Sequence, residues 1–88
     1  MAPVEFYFTK ENHLKVGTDQ SAKISFLDEN EHEKCSVCIK GTKNGGEITV
    51  REKKDGQTKE DHFTVEPGQM NKEHLCNETP IVIIGTSN

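Results

Sequence analysis

The two halves of this chain are versions of one pattern, and this internal repeat restricts the fold more than any other feature of the sequence. The first copy runs from Val4 to Gly41 and the second from Glu47 to Gly85. A shift of 44 residues, which takes Val37 to Ile81, aligns CSVCIKG with TPIVIIG, and HLKVGTDQ resembles HFTVEPGQ in the middle of each copy. A duplicated unit of roughly forty residues with short apolar runs predicts a strand-rich domain made of two similar halves.

Composition and charge restrict the size of the core and the kinds of partner that this chain can bind. Hydrophobic residues make up 31% of the 88 residues, so we expect one domain with a small core. The net charge is -4 and both signs are interspersed, which leaves no basic stripe for nucleic acid or an anionic membrane. No apolar run approaches the roughly 20 residues that cross a bilayer. The first residues do not resemble a signal peptide, and three cysteines cannot all pair within one chain, so a cytoplasmic protein with free thiols is expected.

Alternation of apolar and polar residues predicts short strands with one buried face. Strands are expected over residues 4–8, 36–40, 48–51, 62–65 and 80–84, while 22–27 is either a short strand or an irregular excursion. Turn residues separate these segments at Asn44-Gly45-Gly46, Asp55-Gly56 and Pro67-Gly68. Residues 69–78 have no clean period and predict a loop with one helical turn over Asn71–Leu75. The run IVII predicts a central strand covered on both faces.

These segments predict an all-β fold of about seven or eight short antiparallel strands. Because apolar residues are few, the economical architecture is two sheets packed face to face as a β-sandwich, with one Greek key from each half. The whole chain, 1–88, is then a single domain. One Greek key covers 4–41, a linker covers 42–46, and the second Greek key covers 47–85.

The strand motifs resemble those of the βγ-crystallin superfamily, particularly its single-domain microbial and fungal members. The resemblance spans Val4 to Gly85 and rests on the opening strand EFYF, on the strands HLKVG and HFTVEPG that end at a glycine turn, and on closing strands reached through polar loops, EHEKCSVCIKG and HLCNETPIVIIG. It implies a small, soluble, non-enzymatic protein with a structural, storage-like or stress-associated role. The chain departs from the family pattern at Lys10 and Lys54, where an aromatic residue is expected.

The same resemblance places a degenerate calcium motif in each half. By register, the first half offers Glu31, His32, Cys35 and Ser36, and the second offers Leu75, Cys76, Thr79 and Pro80. Calcium needs about six to eight oxygen ligands, and cysteine, leucine and proline side chains supply none. We therefore expect weak calcium binding or none, with the degenerate cation site reduced to Glu31, His32, Cys35, Ser36, Cys76 and Thr79, and no cofactor.

The cysteines leave three alternatives open. Four nitrogen or sulfur ligands for zinc are present at Cys35, Cys38, His74 and Cys76, but residues three apart on a strand point to opposite faces. The resemblance implies that the loop of one half lies near the closing strand of the other, which brings Cys35 close to Cys76 for a disulfide or a soft-ion site. The third alternative is that the cysteines are small buried hydrophobes.

No catalytic residues are predicted. The sequence contains no nucleophile elbow, phosphate loop or metalloprotease helix motif. His13 and His62 occupy equivalent places in the repeat, which favours a strand position over a general base. The expected protein is a monomer that binds neither nucleic acid nor membrane, and a protein partner is left open. The alternative functions are a protein-binding β-sandwich module of another class and a zinc-binding module.

Overall fold

The structure, a computed structural model, describes residues 4–7, 13–75 and 79–85. Every regular element in these residues is a β-strand, which confirms the all-β prediction for this part of the chain. In chain order the strands are β1 (Val4–Tyr7), β2 (His13–Val16), β3 (Ser21–Leu27), β4 (Glu33–Thr42), β5 (Gly45–Lys54), β6 (Gln57–Val65), β7 (Met70–Leu75) and β8 (Thr79–Gly85).

The strands form two four-stranded antiparallel sheets. Sheet 1 has the order β2-β1-β8-β7, and sheet 2 has the order β3-β4-β5-β6. The inner faces share one apolar core, formed by Val4, Phe6, Val16, Ile81 and Ile83 of sheet 1 and by Cys35, Val37, Ile39, Ile48, Val50 and Val65 of sheet 2. Two sheets around one core are a β-sandwich, as the sequence predicts.

The strand order of the two sheets reflects the internal repeat of the sequence. The first half contributes the hairpin β1-β2 to sheet 1 and β3-β4 to sheet 2, while the second half contributes β5-β6 to sheet 2 and β7-β8 to sheet 1. Exchanging each strand with its counterpart in the other half (β1 with β5, β2 with β6, β3 with β7, β4 with β8) converts the order of sheet 1 into that of sheet 2. The two halves therefore have one topology, with the sheets exchanged between them.

The predicted Greek keys are not confirmed. In a Greek key the fourth strand returns beside the first strand of its own unit. Here the last strand of each half pairs with the first strand of the other half, β4 with β5 and β8 with β1. β4 pairs with β5 because the tight turn at Lys43 and Asn44 joins the paired residues Thr42 and Gly45. A two-residue hairpin keeps consecutive strands adjacent, so the halves interlock.

The turn after the second strand of the first half is closed by a glutamine side chain. Gly17 N–H donates to Gln20 Oε1 at 2.9 Å, and Gln20 N–H donates to Gly17 O at 3.0 Å. Gly41 N–H donates to Gln20 O at 2.9 Å, and Asp19 N–H donates to Gly41 O at 2.9 Å. These bonds tie the turn to the end of β4.

The second half repeats this set of hydrogen bonds. Glu66 N–H donates to Gln69 Oε1 at 2.8 Å, and Gln69 N–H donates to Glu66 O at 3.0 Å. Gly85 N–H donates to Gln69 O at 2.9 Å, and Gly68 N–H donates to Gly85 O at 2.6 Å. The residue before each glutamine has a positive φ, 64° at Asp19 and 85° at Gly68. The match of HLKVGTDQ with HFTVEPGQ therefore extends to conformation.

We expect Gln20→Ala and Gln69→Ala to lower the free energy of unfolding by similar amounts, about 1 kcal/mol each, because each removes one side-chain acceptor from an exposed turn. Urea denaturation followed by circular dichroism measures both. Gln57→Ala is the matched control, since Gln57 is exposed at the β5-β6 turn. A clear cost at one glutamine and none at the other would contradict the structural repeat.

The loop predicted over residues 69–78 contains a strand instead. The helical turn expected over Asn71–Leu75 is wrong, because these residues belong to β7 and pair with β8. As an edge strand β7 has the mostly polar sequence MNKEHL, and pairing with an apolar neighbour overrides its missing alternation. The alternative left open at 22–27 is resolved as a strand, β3.

β8 lies between β1 and β7, which confirms the predicted central strand. Its inner residues Ile81 and Ile83 are 1% and 0% exposed. Val82 and Ile84 point to the outer face and are only half-buried, so the expectation that both faces are covered is wrong for the outer one. Cover there comes from cross-strand neighbours in β1 and β7. The predicted turn at Lys10 lies outside the described residues.

Candidate functional site

The outer face of sheet 2 carries a connected group of polar side chains. Because side chains alternate along a strand, residues between the buried ones point outward. One row across the sheet consists of Lys23, Cys38, Thr49 and His62, and the next consists of Ser25, Ser36, Arg51 and Glu60. This face is the candidate site because it brings a thiol, hydroxyls, an imidazole and carboxylates together.

His62 and Arg51 share the carboxylate of Glu60. Arg51 Nε donates to Glu60 Oε2 at 2.6 Å, and His62 Nε2 lies 2.6 Å from Glu60 Oε1. The hydrogen bond from Arg51 lowers the pKa of Glu60 and raises that of Arg51 itself. On its other side, His62 Nδ1 lies 3.0 Å from Thr49 Oγ1. The imidazole is therefore held between a hydroxyl and a carboxylate.

This order of hydroxyl, imidazole and carboxylate is the connectivity of a nucleophilic triad. Two features favour a structural role instead. β5 is paired on both sides, so the backbone N–H groups around Thr49 serve the sheet and are not grouped to hold an oxyanion. The His62 side chain is 66% exposed, and Arg51 already neutralises Glu60. We interpret the three groups as a tie between β5 and β6.

A β-bulge sets the position of Glu33. Phe26 pairs with Cys35 and Leu27 pairs with Glu33, so Lys34 is an extra residue in β4. A bulge shifts the alternation of side chains along the strand. In a regular strand Glu33 would share the inner face of Cys35, two residues away, but its carboxylate instead contacts outward-facing residues of β3 and β5.

Glu33 collects three polar partners on this face. Ser25 Oγ donates to Glu33 Oε1 at 2.6 Å, and Lys23 Nζ lies 3.4 Å from the same oxygen. Lys53 Nζ lies 3.9 Å from Glu33 Oε2. The bond from Ser25 and then the lysines lower the pKa of Glu33. The carboxylate links β3, β4 and β5.

Two shallow clefts flank this group. The larger, about 470 Å³, is lined by Ser21, Ala22, Lys23, Cys38, Ile39, Lys40, Glu47 and Thr49. The smaller, about 320 Å³, is lined by Glu47, Ile48, Thr49, His62, Phe63 and Thr64. Glu47 and Thr49 line both, so they are parts of one continuous surface over sheet 2.

The predicted cation residues of the first half are not brought together. Glu31, with φ 64°, and His32 are exposed in the turn before β4. Cys35 is 1% exposed in the core, and Ser36, also 1% exposed, belongs to the opposite face of the strand. Among the described residues, Ser36 Oγ has no hydrogen-bond partner, but it lies beneath the polar group and not at the turn. Cys76 and the side chain of Thr79 lie outside the described residues.

Cys35 and Cys38 face opposite sides of sheet 2, as predicted for residues three apart on a strand. The expectation of free thiols is wrong for Cys35, which is disulfide-bonded and lies in the core. Cys38 is a free, half-buried thiol on the outer face. This separation rules out the two sulfurs as joint ligands of one zinc ion. The side chain of His74 lies outside the described residues, which contain no group of three metal-binding side chains.

We expect the non-reduced protein to contain a single free thiol, on Cys38, because Cys35 is disulfide-bonded and the resemblance predicts Cys76 as its partner. Alkylation before and after reduction, followed by mass analysis, counts the thiols, and peptide mapping identifies the pair. A Cys38→Ser control should show none before reduction. Three reactive thiols in the unreduced wild-type protein would contradict both the bonded state of Cys35 and its predicted partner.

Comparisons of the chain with protein-family models, with curated proteins and with solved structures find no match. The described residues, 4–7, 13–75 and 79–85, contain no helix that is long and apolar enough to cross a membrane. The fold and the outer face of sheet 2 therefore carry the functional argument.

Sequence reasoning missed most of the polar group. His62 is identified in the sequence only as a strand position, which is confirmed. Thr49, Glu60, Arg51 and Glu33 are not singled out. The Asp55-Gly56 turn could have predicted the placement of the first three, but not that of Glu33, which lies on β4. A two-residue turn there sets the register that places Thr49 opposite His62 and Arg51 opposite Glu60.

Proposed function

We propose that this chain is a small non-enzymatic β-sandwich protein of βγ-crystallin type, with a structural, storage-like or stress-associated role and weak or absent calcium binding. The pseudo-symmetric exchange of hairpins between the sheets supports a duplicated origin for the sandwich. The pairing of β4 with β5 departs from the Greek key expected within each half.

One observation supports the non-enzymatic role most strongly. The side chains that could perform chemistry on the outer face of sheet 2 are bound to one another across strands. Glu60 is held by Arg51 and His62, and Glu33 is held by Ser25 and two lysines. Groups committed to such ties reinforce the sheet and resist rearrangement around a substrate. A stable, solvated surface fits a structural protein.

Thermal unfolding in calcium and in chelator tests the calcium part of the proposal. A site filled at a hundred times its dissociation constant would add about 2.7 kcal/mol of stability, which for a domain of this size raises Tm by roughly 10–20 °C. We expect a change of no more than about 2 °C. A large rise that is reversed by chelator would overturn the prediction of a degenerate site.

The cytoplasmic location is also part of the proposal, and the bonded state of Cys35 counts against it, because disulfides persist mainly in oxidising compartments. Counting the thiols of protein taken directly from its native cells, trapped with alkylating reagent during lysis, tests this point. Free Cys35 in that sample supports a reducing compartment, and bonded Cys35 contradicts it.

A protein-binding β-sandwich module is the second candidate. The observation that favours it is the edge strand β3, whose free side has little charge and several half-buried apolar residues. Titration of candidate partner proteins, followed by chemical-shift changes at β3, separates the two functions. A structural protein without a partner leaves these signals unchanged.

A further inference from the structure

β3 is the less protected edge of sheet 2. Edge strands leave one row of backbone N–H and C=O groups unpaired, and proteins usually protect them with charge or proline. The opposite edge, β6, carries Lys59, Glu60 and Asp61 in succession. β3 has the sequence SAKISFL, in which Lys23 is the single charged residue. No other described strand pairs with its outer edge, so the backbone of β3 is open to pairing with another strand.

The inner side of β3 is apolar and incompletely covered. Ala22, Ile24 and Phe26 pack against the core but remain half-buried. Leu27, at the end of the strand, is on the outer face opposite Glu33 and is 53% exposed. A strand added beside β3 would continue the sandwich and cover these side chains.

The inner-face residues of β3 match their own reverse order. If two copies pair antiparallel around Ile24, the inner face places Ile24 opposite Ile24 and the small Ala22 opposite the large Phe26. On the outer face Lys23 of each copy lies opposite Ser25 of the other. Directly opposed side chains have Cβ atoms about 4.5–5.5 Å apart, so every inner-face residue meets an apolar residue. At each end of the pair, Ser21 of one copy lies opposite Leu27 of the other.

The charges on the outer face are complementary in the same register. Ser25 Oγ donates to Glu33 Oε1 at 2.6 Å, so Glu33 sits beside the position that Lys23 of a second copy would face. Within one chain Lys23 already approaches Glu33 at 3.4 Å. In the pair, the Glu33 carboxylate of each copy would lie between Lys23 of its own chain and Lys23 of the other. This contact occurs twice because the interface is symmetric.

We infer that this chain associates with a second copy of itself through antiparallel β3-β3 pairing centred on Ile24. The two copies of sheet 2 then form one continuous sheet, and the apolar flank of each β3 is covered by the other. This association differs from the monomer that the sequence predicts. The other large exposed hydrophobic side chain among the described residues, Met70, lies on the outer face of sheet 1 and has no comparable self-match.

Sedimentation equilibrium over about a hundredfold range of protein concentration tests association by mass action. A Cys38→Ser background prevents oxidation of the outer-face thiol from producing a false dimer. The inference expects a concentration-dependent dimer, with NMR amide signals of β3 changing on association and those of β6 unchanged. A chain that is monomeric throughout the range overturns the inference, as does a dimer whose shift changes map to another surface.

Charge reversal identifies the contact between copies. Lys23→Glu opposes two carboxylates across the interface and Glu33→Lys opposes two lysines, so each variant alone should associate about tenfold more weakly. A mixture of the two variants restores opposite charges across the interface and should recover association. Each variant also places like charges at positions 23 and 33 of its own chain, and mixing does not change this repulsion. Recovery of association therefore reports only contacts between copies.

Lys43→Glu is the matched control, because Lys43 is exposed in the turn between β4 and β5 and makes the same charge change away from β3. It should associate as the wild type does. Amide dispersion confirms that every variant is folded. Dimers that persist in both single variants, or a mixture that shows no recovery, would contradict the proposed register.

Discussion

Replacing Gly45 with alanine is expected to lower the free energy of unfolding by more than about 4 kcal/mol. Losses this large are exceptional for a single substitution, and backbone strain is one of their known causes. Gly45 begins β5 with φ 126°. A Cβ atom there would lie 1.8 Å from Val65 O and 2.9 Å from Val65 C, both backbone atoms of the paired strand β6. Neither can move without breaking the β5-β6 pairing.

The measurement is thermal unfolding, in which a loss of this size corresponds to a decrease in Tm of at least roughly 15 °C. Gly56→Ala is the control. Gly56 also has a positive φ, 76°, but nothing lies within 4 Å of its added Cβ, so we expect a cost of about 1 kcal/mol from the backbone conformation alone. Equal costs at the two glycines would show that the close approach of Val65 is wrong.

Phe6→Ala is expected to have the second large effect, a loss of about 3–5 kcal/mol from removal of a buried aromatic ring. Phe6 is 0% exposed and heads the fully buried side chains by volume. It pairs with Leu14 on β2 and Ile83 on β8, at the centre of sheet 1. A small domain has few other contacts to offset the cavity.

Urea denaturation with fluorescence and circular dichroism measures this loss, and an unchanged m-value shows that the folded state is otherwise intact. Phe63→Ala is the matched control, because Phe63 packs at the margin of the same core and is only half-buried. Its cost should be clearly smaller. A cost at Phe6 no greater than at Phe63 would mean that sheet 1 does not cover the core as described.

The repeat predicted much of this fold because equivalent positions have equivalent burial. Val37 and Ile39 correspond to Ile81 and Ile83, and all four are buried. The Asp55-Gly56 turn is likewise predictable, since both residues take the positive φ, 53° and 76°, that such a hairpin needs. Local pattern and turn chemistry were sufficient in these segments.

The alternation of apolar and polar residues could not predict the pairing between halves, although the turn residues Asn44-Gly45-Gly46 favour pairing of β4 with β5. Alternation along β4 and β8 is the same whether each returns to its own half or pairs with the other, because either neighbour buries the same face. β7 was missed for a related reason, since Asn71 pairs with the buried Ile83 although its own segment has no apolar period. Both the strand order of the two halves and the formation of β7 depend on pairing between residues far apart in the sequence.

The candidate site was harder to predict than the fold. Glu31, His32, Cys35 and Ser36 were grouped by register with a family motif, and the structure separates them between an exposed turn, the core and the opposite face. The actual polar group depends on cross-strand register and on the bulge at Lys34. A bulge adds one residue without a composition signal, so its effect on Glu33 was not visible in the sequence.

The central claim is that the two halves interlock, with β1 beside β8 and β4 beside β5. Interproton contacts measured by NMR across these strands test it most directly. The account predicts backbone contacts between Phe6 and Ile83 and between Ile39 and Ile48. Backbone contacts between β1 and β4, and between β5 and β8, would contradict it, because each half would then close on itself.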